Sequence, residues 1–357
     1  MRSAEVFTSS ARQRGAATLV ITLLLLFSMS VMMLYAARVG VIEQRLAAND
    51  ARARAAFAAA QAGLERTLGE LATLDREALV YDAAGWTAFD AGDEALANGS
   101  EYHTEVNNLA LVPFDAGLLR LDARGSTGTG GGVRSATLLA AFASLLPNMP
   151  PAPLVTRGNL SHTDPLTLTN LARPVGAWLG GLYTPGGILD PRFGEPASCP
   201  PFGICAGDAR LGALAPEPFF ANTFGRPPPA LRSDAEIVRC TPCDPAALPA
   251  GARLVWYEND GAPVTISAGQ LGTATHPVIA IVAGDFAPAG ALHIHGLLFV
   301  LGDWTGGGAP LTVEGAVIVA GEIAGIGPAD LVYDSDALEI LHQSGRYAFV
   351  PGSWIDS

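Results

Sequence analysis

Three acidic residues recur at a regular spacing in the C-terminal part of the chain. Asp285, Asp303 and Glu322 each follow a glycine, and these glycines are 18 and 19 residues apart. If the strands before them stack, the carboxylates form a column, which is unfavourable unless water solvates it or a cation such as calcium bridges it. The chain has no D-x-D-x-D-G calcium loop, so we expect solvated turn residues, with calcium as the alternative. This column is also the only support for a carbohydrate-active enzyme, which needs paired carboxylates.

Histidines lie close to these acids in the sequence. His293 and His295 are two residues apart and face the same side of a strand, and His276 precedes them. Imidazole and carboxylate together form a donor set that binds metals. Strand residues that face the solvent or the interior of the fold explain the same pattern without a ligand, and we favour that interpretation. We therefore predict no metal centre and no cofactor.

Four cysteines lie together in the middle of the chain: Cys199, Cys205, Cys240 and Cys243. An even count indicates disulfides if this part of the chain is exported to an oxidising compartment, and three pairings exist. The local pairing joins Cys199 to Cys205 and Cys240 to Cys243, whereas cross-linking would close longer loops. Cys240-Thr-Pro-Cys243 also has the spacing of a zinc ligand pair, but the gap between the other two is a poor partner for it. We expect structural disulfides, and the pairing stays open.

Several classes of protein are excluded by composition. The 357 residues carry 21 cationic side chains, all arginine, and a net charge of −13. Without lysine there is no phosphate-loop NTPase and no Schiff-base enzyme, and the acidic balance argues against nucleic acid as a partner. The sequence contains no G-x-S-x-G elbow, H-E-x-x-H motif or dinucleotide fingerprint. We therefore predict that the protein is not an enzyme.

The acids and histidines belong to an internal repeat. Val278–Gly284, Leu297–Gly302 and Ala316–Gly321 align without gaps, and a second column aligns His293–Gly296 with Thr312–Gly315. Short strands with glycine at the corners, repeating every 18 to 19 residues over about 278–324, predict stacked turns of a β-helix-like coil.

The coil is expected to occupy a domain over residues 154–357. Leu160–Asn170 and Ala262–Gly269 have the composition of less regular turns of it. Leu331–Asp336 and Val350–Asp356 are expected to close the stack. We see no helical stretch after residue 150.

A smaller domain precedes the coil. Residues 102–106, 118–123 and 133–140 have the alternation and β-formers of strands, which predicts an antiparallel head over 77–146. The proline-rich residues 147–153 are expected to form an extended linker. The predicted fold class is thus α+β: a long N-terminal helix, a small antiparallel head and an all-β domain.

The N-terminal region reads as one long helix. No charged residue occurs from Gly15 to Ala37, and no proline occurs before Trp86. We predict a helix over 16–76, of which 16–37 spans a membrane. Arginines before the span keep the N-terminus in the cytoplasm. A secretory signal peptide fits less well, because the apolar stretch is long and no A-x-A-type cleavage site follows it.

This region resembles a known family. Arg12–Val20, the apolar stretch, Glu43–Arg52 and Ala56–Glu65 are similar to the N-terminal module of PilX-type minor pilins of type IV pili. The resemblance implies that a prepilin peptidase removes residues 1–15, cutting after Gly15, and that Ala16 becomes the methylated N-terminus.

One position departs from the pattern of major pilins. They carry Glu at the fifth mature position, where this chain has Val20. A subunit without that carboxylate cannot contact the terminal amine of a neighbour, which suits a tip or initiation role. Leu24, Phe27 and Tyr35 lie further along the membrane-spanning part.

The resemblance implies a minor pilin in the bacterial inner membrane that functions in pilus assembly, priming and tip display without catalysis. Expected partners are minor and major pilins, the inner-membrane assembly machinery, the peptidase and a tip adhesin. The head faces the periplasm and enters the pilus. The alternatives are the large minor pseudopilin of a type II secretion system, expected to carry a helical insert, and a membrane-anchored periplasmic glycan-binding or carbohydrate-active β-helix protein.

Overall fold

The structure is a computed structural model that describes residues 10–71, 86–88, 94–96, 99–108, 117–127, 132–199, 202–240, 242–249, 251–306 and 308–356. The chain divides into two compact units. The helix-and-sheet unit comprises Met1–Leu71, Tyr81–Ala141 and Phe349–Ser357. The parallel-strand unit comprises Ala72–Val80 and Phe142–Ala348.

The described helices are α1 Ser10–Leu71, α2 Ala209–Ala213, α3 Pro216–Phe224, α4 Pro228–Arg232 and α5 Ser335–Gln343, with a 3₁₀ turn at Pro245–Ala247. The described strands are β1 Trp86–Ala88, β2 Glu94–Ala95, β3 Ser100–Asn108, β4 Leu118–Thr127, β5 Val133–Ser144, β6 Leu154–Thr156, β7 Leu160–His162, β8 Leu166–Asn170, β9 Ala177–Leu179, β10 Tyr183–Thr184, β11 Leu189–Phe193, β12 Ile204–Cys205, β13 Glu236–Arg239, β14 Leu254–Glu258, β15 Val264–Ile266, β16 Gly269–Leu271, β17 Val278–Val282, β18 Phe286–Pro288, β19 Leu292–Val300, β20 Trp304–Thr305, β21 Leu311–Val319, β22 Ile323–Ile326, β23 Ala329–Val332, β24 Gly345–Phe349 and β25 Ile355–Asp356.

The helix-and-sheet unit pairs one long helix with an antiparallel sheet. Helix α1 runs 62 residues without interruption, as expected for a segment of Ala, Leu, Glu and Arg with no proline. Strands β1, β3, β4 and β5 are neighbours in that order, β2 pairs with β3, and each of these pairs is antiparallel. The three strands predicted at 102–140 are present as β3, β4 and β5. Residues 72–85 of the predicted helix end and head lie outside the described residues.

Small residues form the buried side of α1 where it packs on the sheet. Ala56, Ala59 and Ala60 are fully buried, and Leu64 follows on the same side. A Cβ at Gly125 of β4 would lie 1.9 Å from the Ala56 carbonyl oxygen, so helix and strand backbones touch. Phe57, which follows Ala56 in the chain, is only half-buried. The seam is small because the backbones approach this closely.

The parallel-strand unit contains two parallel sheets, of 12 and 6 strands. Strands β17, β19 and β21 lie in the longer sheet, and β18, β20 and β22, which alternate with them along the chain, lie in the shorter one. We call each stretch that contributes to both sheets a rung. Ile279 pairs with Leu297, and Leu297 pairs with Ala316, which is the register that the repeat predicts. The α+β class is confirmed.

The rungs do not stack in chain order. The rung that contains β21 pairs on one side with β19 and on the other with β6, through Val317 and Leu154. The chain therefore enters near the middle of the stack. It winds outward through β9 and β12, crosses over, and winds back from β14 through β17 and β19 to β21. The segments predicted as less regular turns are part of the stack, as β7, β8 and β15.

Glycine occupies a bend within each long strand. Gly296 and Gly315 have φ angles of 126° and 141°, which other residues rarely adopt, and they pair with each other. A Cβ on Gly315 would lie 1.9 Å from the Gly296 carbonyl oxygen. The chain thus needs glycine at this column for both conformation and space.

Both faces of the long sheet are buried along β17 and the C-terminal halves of β19 and β21. Ala280 and Val282 of β17 face a core enclosed by the strands, together with Trp304 and Phe286. Ile279 and Ile281 face a second core that also contains side chains of α3 and α5, such as Phe220. Strands buried on both faces have continuous apolar sequences, which explains the low charge content of this part of the chain.

Three features of this unit differ from the sequence-based prediction. Helices α2, α3 and α4 lie in the crossover at 209–232 and α5 lies at Ser335–Gln343, and no helix was predicted in either place. The proline-rich segment packs into the second core through Ala152, and its Pro150 carbonyl accepts a hydrogen bond from the Tyr333 hydroxyl. Residues 350–356 do not close the stack, because β25 pairs with β5 in the other unit's sheet. Local sequence patterns do not carry these long-range contacts.

Candidate functional site

The first part of α1 exposes a continuous apolar surface. Val20, Leu24, Phe27 and Tyr35 are between 55% and 71% exposed, and the side chains between them are exposed too. The segment from Thr18 has a mean hydropathy of 2.4 over its most apolar window, and is long enough to cross a membrane. A surface of this kind is stable only against lipid or the apolar side of another protein.

Hydroxyl groups within this surface are satisfied inside the helix. Thr22 donates to backbone carbonyls one turn earlier, and Ser28 and Ser30 do the same. The polar atoms therefore do not need water, and the surface is suited to an apolar environment. Among the described side chains of α1, the first exposed ion pair is Asp50–Arg54.

The predicted processing residues Gly15 and Ala16 lie within the described backbone of α1. The helix passes through both without interruption, and their side-chain surroundings lie outside the described residues. The predicted leader begins before α1, and its residues 1–9 also lie outside them.

The three acids of the repeat form a ladder of hydrogen bonds. Asp285 Oδ1 accepts from the Asp303 backbone N–H at 2.9 Å, and Asp303 Oδ1 accepts from the Glu322 N–H at 2.7 Å. Glu322 Oε1 accepts from Asn159 Nδ2 at 2.9 Å, and Asn159 Oδ1 accepts from the Leu182 N–H at 2.8 Å. Each carboxylate therefore has a donor from the next rung, which offsets the repulsion between like charges without a cation.

This ladder explains why glycine precedes two of the acids, Asp303 and Glu322. A Cβ at Gly302 would lie 2.3 Å from Asp285 Oδ1, and one at Gly321 would lie 2.0 Å from Asp303 Oδ1. The fourth member of the ladder, Asn159, was not predicted, because it is far from the other three in the chain. Its signal is the same: a glycine followed by a side-chain acceptor, directly after a buried strand.

All four cysteines are in disulfides of the local pairing. Cys199 is bonded to Cys205, with a Cα–Cα distance of 5.2 Å, and Cys240 is bonded to Cys243, with 4.9 Å. Cys243 is fully buried in the enclosed core. With their thiols bonded, these residues offer no zinc site of the kind that Cys240-Thr-Pro-Cys243 suggested.

His293 and His295 lie beside an acid that the sequence analysis did not consider. His295 pairs directly with Glu314 of the neighbouring strand, and its Nδ1 lies 2.9 Å from Glu314 Oε2. His293 Nε2 lies 3.2 Å from Glu314 Oε1, and the two imidazole ring centroids are 4.3 Å apart. These three residues form a group that can hold a metal ion. The sequence placed the histidines near Asp285 and Asp303, whose carboxylates instead serve the ladder.

An apolar pocket of about 380 Å³ opens between the proline-rich segment and helices α2 and α3. Among the described residues that line it, Asp208 has the one carboxylate. Asp208 Oδ2 accepts from Trp178 Nε1 at 2.9 Å, and its Oδ1 accepts from the first backbone N–H groups of α2. These bonds, the tryptophan bond first, lower the pKa of Asp208. A single carboxylate held as a helix cap is not the pair that glycoside hydrolysis needs.

Comparison with known proteins points to the N-terminal segment. Residues 14–65 match the family described as PilX N-terminal. No curated protein matches the chain. Among solved structures, the chain is similar to the competence-associated pilin ComZ from Thermus thermophilus, at 10% identity and a TM-score of 0.27 over 86% of this chain and 97% of that one.

The matched segment comprises most of α1: its exposed apolar part and the start of the part packed on the sheet. The N-terminal segment of the chain is thus similar to that of the PilX family.

Proposed function

We propose that this protein is a minor pilin of PilX type that functions in the assembly and priming of type IV pili and is displayed at the pilus tip. One observation carries the proposal: the segment that matches PilX, residues 14–65, is a helix with an exposed apolar surface at one end and a packed seam at the other. The protein acts through assembly and not through catalysis.

The exposed apolar part of α1 has two successive environments in this proposal. Before assembly it lies in the inner membrane, with the N-terminus in the cytoplasm and the head in the periplasm. After assembly it packs against the helices of minor and major pilins, which present equally apolar surfaces. The self-satisfied hydroxyls of Thr22, Ser28 and Ser30 fit both environments.

Val20 supports a position at the end of the filament. In an apolar helix bundle a carboxylate is stable only with a partner such as the terminal amine of a neighbour. Val20 offers no such contact to another subunit, so the protein is suited to initiating or ending the stack. The assembly machinery, the prepilin peptidase and a tip adhesin are the further partners of the proposal.

Mass spectrometry of the mature protein tests the proposal at its first step. We expect a chain that begins with N-methylated Ala16, after removal of residues 1–15. A Gly15→Ala variant is the matched control, and it is expected to keep its leader and to be absent from sheared pili. An unprocessed Met1 in the native host, or cleavage near residue 37, would contradict the pilin proposal.

The structure bears on the alternatives through two observations. Helices α2, α3 and α4 are short, and strands form most of the regular structure described between 150 and 275, so the region is not the helix-rich insert expected of a large pseudopilin. The carboxylates that could have served a carbohydrate-active protein accept backbone hydrogen bonds instead: Asp285 and Asp303 in the ladder, and Asp208 as the N-cap of α2. Both observations favour the minor pilin.

A further inference from the structure

The His293, His295 and Glu314 side chains converge on the outer side of the parallel-strand unit. Ile294 and Val313, between them in sequence, face the enclosed core, so the three polar side chains lie on the opposite face of strands β19 and β21. The parallel register brings residue 295 directly opposite residue 314. The backbone alone thus juxtaposes two imidazoles and one carboxylate.

The nitrogens that face the carboxylate have no hydrogen bond. His295 is 9% exposed, and its Nδ1 and the His293 Nε2 atom are both buried without a hydrogen-bond partner among the described residues. They approach Glu314 to 2.9 and 3.2 Å, but not in hydrogen-bonding geometry. A buried nitrogen lone pair that receives no hydrogen bond costs free energy of desolvation, and a bound metal cation removes that cost by coordinating the lone pair.

The spacing matches that of a tetrahedral metal site. Ligands at about 2.0–2.2 Å from zinc lie about 3.4 Å from one another. The nitrogen–oxygen distances, 3.2 Å to Glu314 Oε1 and 2.9 Å to Glu314 Oε2, are close to this value, and one ligand atom from each of the three residues lies within 4.8 Å of the other two. Small rotations of the part-exposed side chains of His293 and Glu314 bring the ligand atoms to the tetrahedral ligand–ligand distance of about 3.4 Å. The fourth position is left for water.

We propose that His293, His295 and Glu314 bind a divalent transition-metal cation of the zinc class. Two imidazole nitrogens with one carboxylate oxygen form a donor set that zinc prefers over calcium, which takes six or more oxygens. The cysteines do not compete, because all four are in disulfides. The metal joins adjacent rungs near the middle of the stack and adds its binding free energy to the stability of the parallel-strand unit.

Zinc titration of the full-length protein tests this site. The protein is purified in detergent without a polyhistidine tag, stripped with a chelator, and titrated with zinc in competition with a chromophoric chelator. We expect one equivalent to bind to the wild-type chain. His293→Gln and Glu314→Gln are each expected to weaken binding at least about 10-fold. His276→Gln replaces an exposed histidine outside the group and is expected to bind as the wild type does.

Cobalt substitution makes the test independent of variant folding. Cobalt in a tetrahedral site with nitrogen and oxygen ligands has a much stronger visible absorption than hydrated cobalt, so the wild-type protein alone gives a result. A wild-type chain without one equivalent of zinc and without this absorption would overturn the proposal. So would a loss of affinity in His276→Gln as large as that in the two ligand variants. Neither outcome depends on whether the chain is a pilin.

Discussion

Replacing Asp303 by alanine is expected to free the backbone amide of residue 322 from its hydrogen bond and to leave that of residue 303 unchanged. Asp303 Oδ1 is the acceptor for the Glu322 N–H at 2.7 Å, while the N–H of residue 303 donates to Asp285. The substitution removes the first bond and keeps the second. The two amides therefore report separately on two hydrogen bonds of the same column.

The magnitude follows from the acceptor and its exposure. A hydrogen bond to a charged group contributes about 1.5–3 kcal/mol when buried, and Asp303 is only half-buried, so we take about 1 to 1.5 kcal/mol. The amide of residue 322 is then expected to exchange about 5- to 10-fold faster. Asp303→Asn keeps a neutral acceptor oxygen with about half the strength, and we expect about 2- to 3-fold.

Hydrogen exchange, read at single residues by mass spectrometry with electron-transfer fragmentation, measures these rates. Asp285→Ala is the reciprocal control, since it is expected to release the residue 303 amide and not that of residue 322. Calcium and a calcium chelator are expected to change neither rate. If the chelator accelerated both amides, or if Asp303→Asn were as harmful as Asp303→Ala, a bridging cation would hold the column and the ladder hypothesis would be wrong.

Three further predictions concern stability. The Tyr257 hydroxyl is fully buried without a partner among the described residues, so Tyr257→Phe is expected to raise the free energy of unfolding by about 1 kcal/mol. Tyr333→Phe removes a hydroxyl that donates a hydrogen bond, so it is expected to lower the free energy of unfolding by as much. Tryptophan fluorescence during denaturant unfolding measures both changes. Gly125→Ala in β4 is expected to detach α1 from its sheet, because the new Cβ meets a carbonyl oxygen of α1. Gly69→Ala, on the open side of α1, is instead expected to raise the free energy of unfolding by up to about 1 kcal/mol. Limited proteolysis of α1 distinguishes them, since cleavage is faster in the first variant and not in the second. Arg232, chiefly through a side-chain hydrogen bond, and Arg239 lower the pKa of Glu258. The contribution of Glu258 to the free energy of unfolding is therefore fully present above the ordinary glutamate pKa of about 4.3 and is lost as the pH falls through the lowered value. The stability difference between wild type and Glu258→Gln is expected to vanish at that low pH, and a difference that persists would contradict this assignment.

Much of the fold is predictable because its signals are local. An uncharged stretch and the absence of proline predict α1, and glycines 19 residues apart in the aligned repeat predict the pairing of Gly296 with Gly315. A repeat of this length brings equivalent residues into register after one turn of chain. The register, and with it the stacking of Asp285, Asp303 and Glu322, is therefore present in the sequence.

The interactions that these residues make are not present in the sequence. Whether an acid column is solvated, bridged by calcium or bonded to backbone amides depends on the distance from each oxygen to the next rung, which no pattern states. His293 and His295 show the same limit: the aligned repeat sets His295 opposite Glu314, but only the structure shows that nitrogens of both histidines approach its carboxylate, at 3.2 and 2.9 Å. Helix α3 was missed because its apolar side, with Phe220, is short and is stabilised by tertiary packing.

The sequence by itself determines the long apolar helix, the PilX-type segment and the stacked repeat, since each rests on periodicity or composition within a few tens of residues. Only the tertiary structure decides that the stack is entered from its middle, where Asn159 meets Glu322 across 163 residues of chain. Only the tertiary structure places Gly125 against Ala56 and two imidazoles against one carboxylate. Such contacts depend on packing in space, and the free energy that selects them is shared among residues that local sequence does not connect.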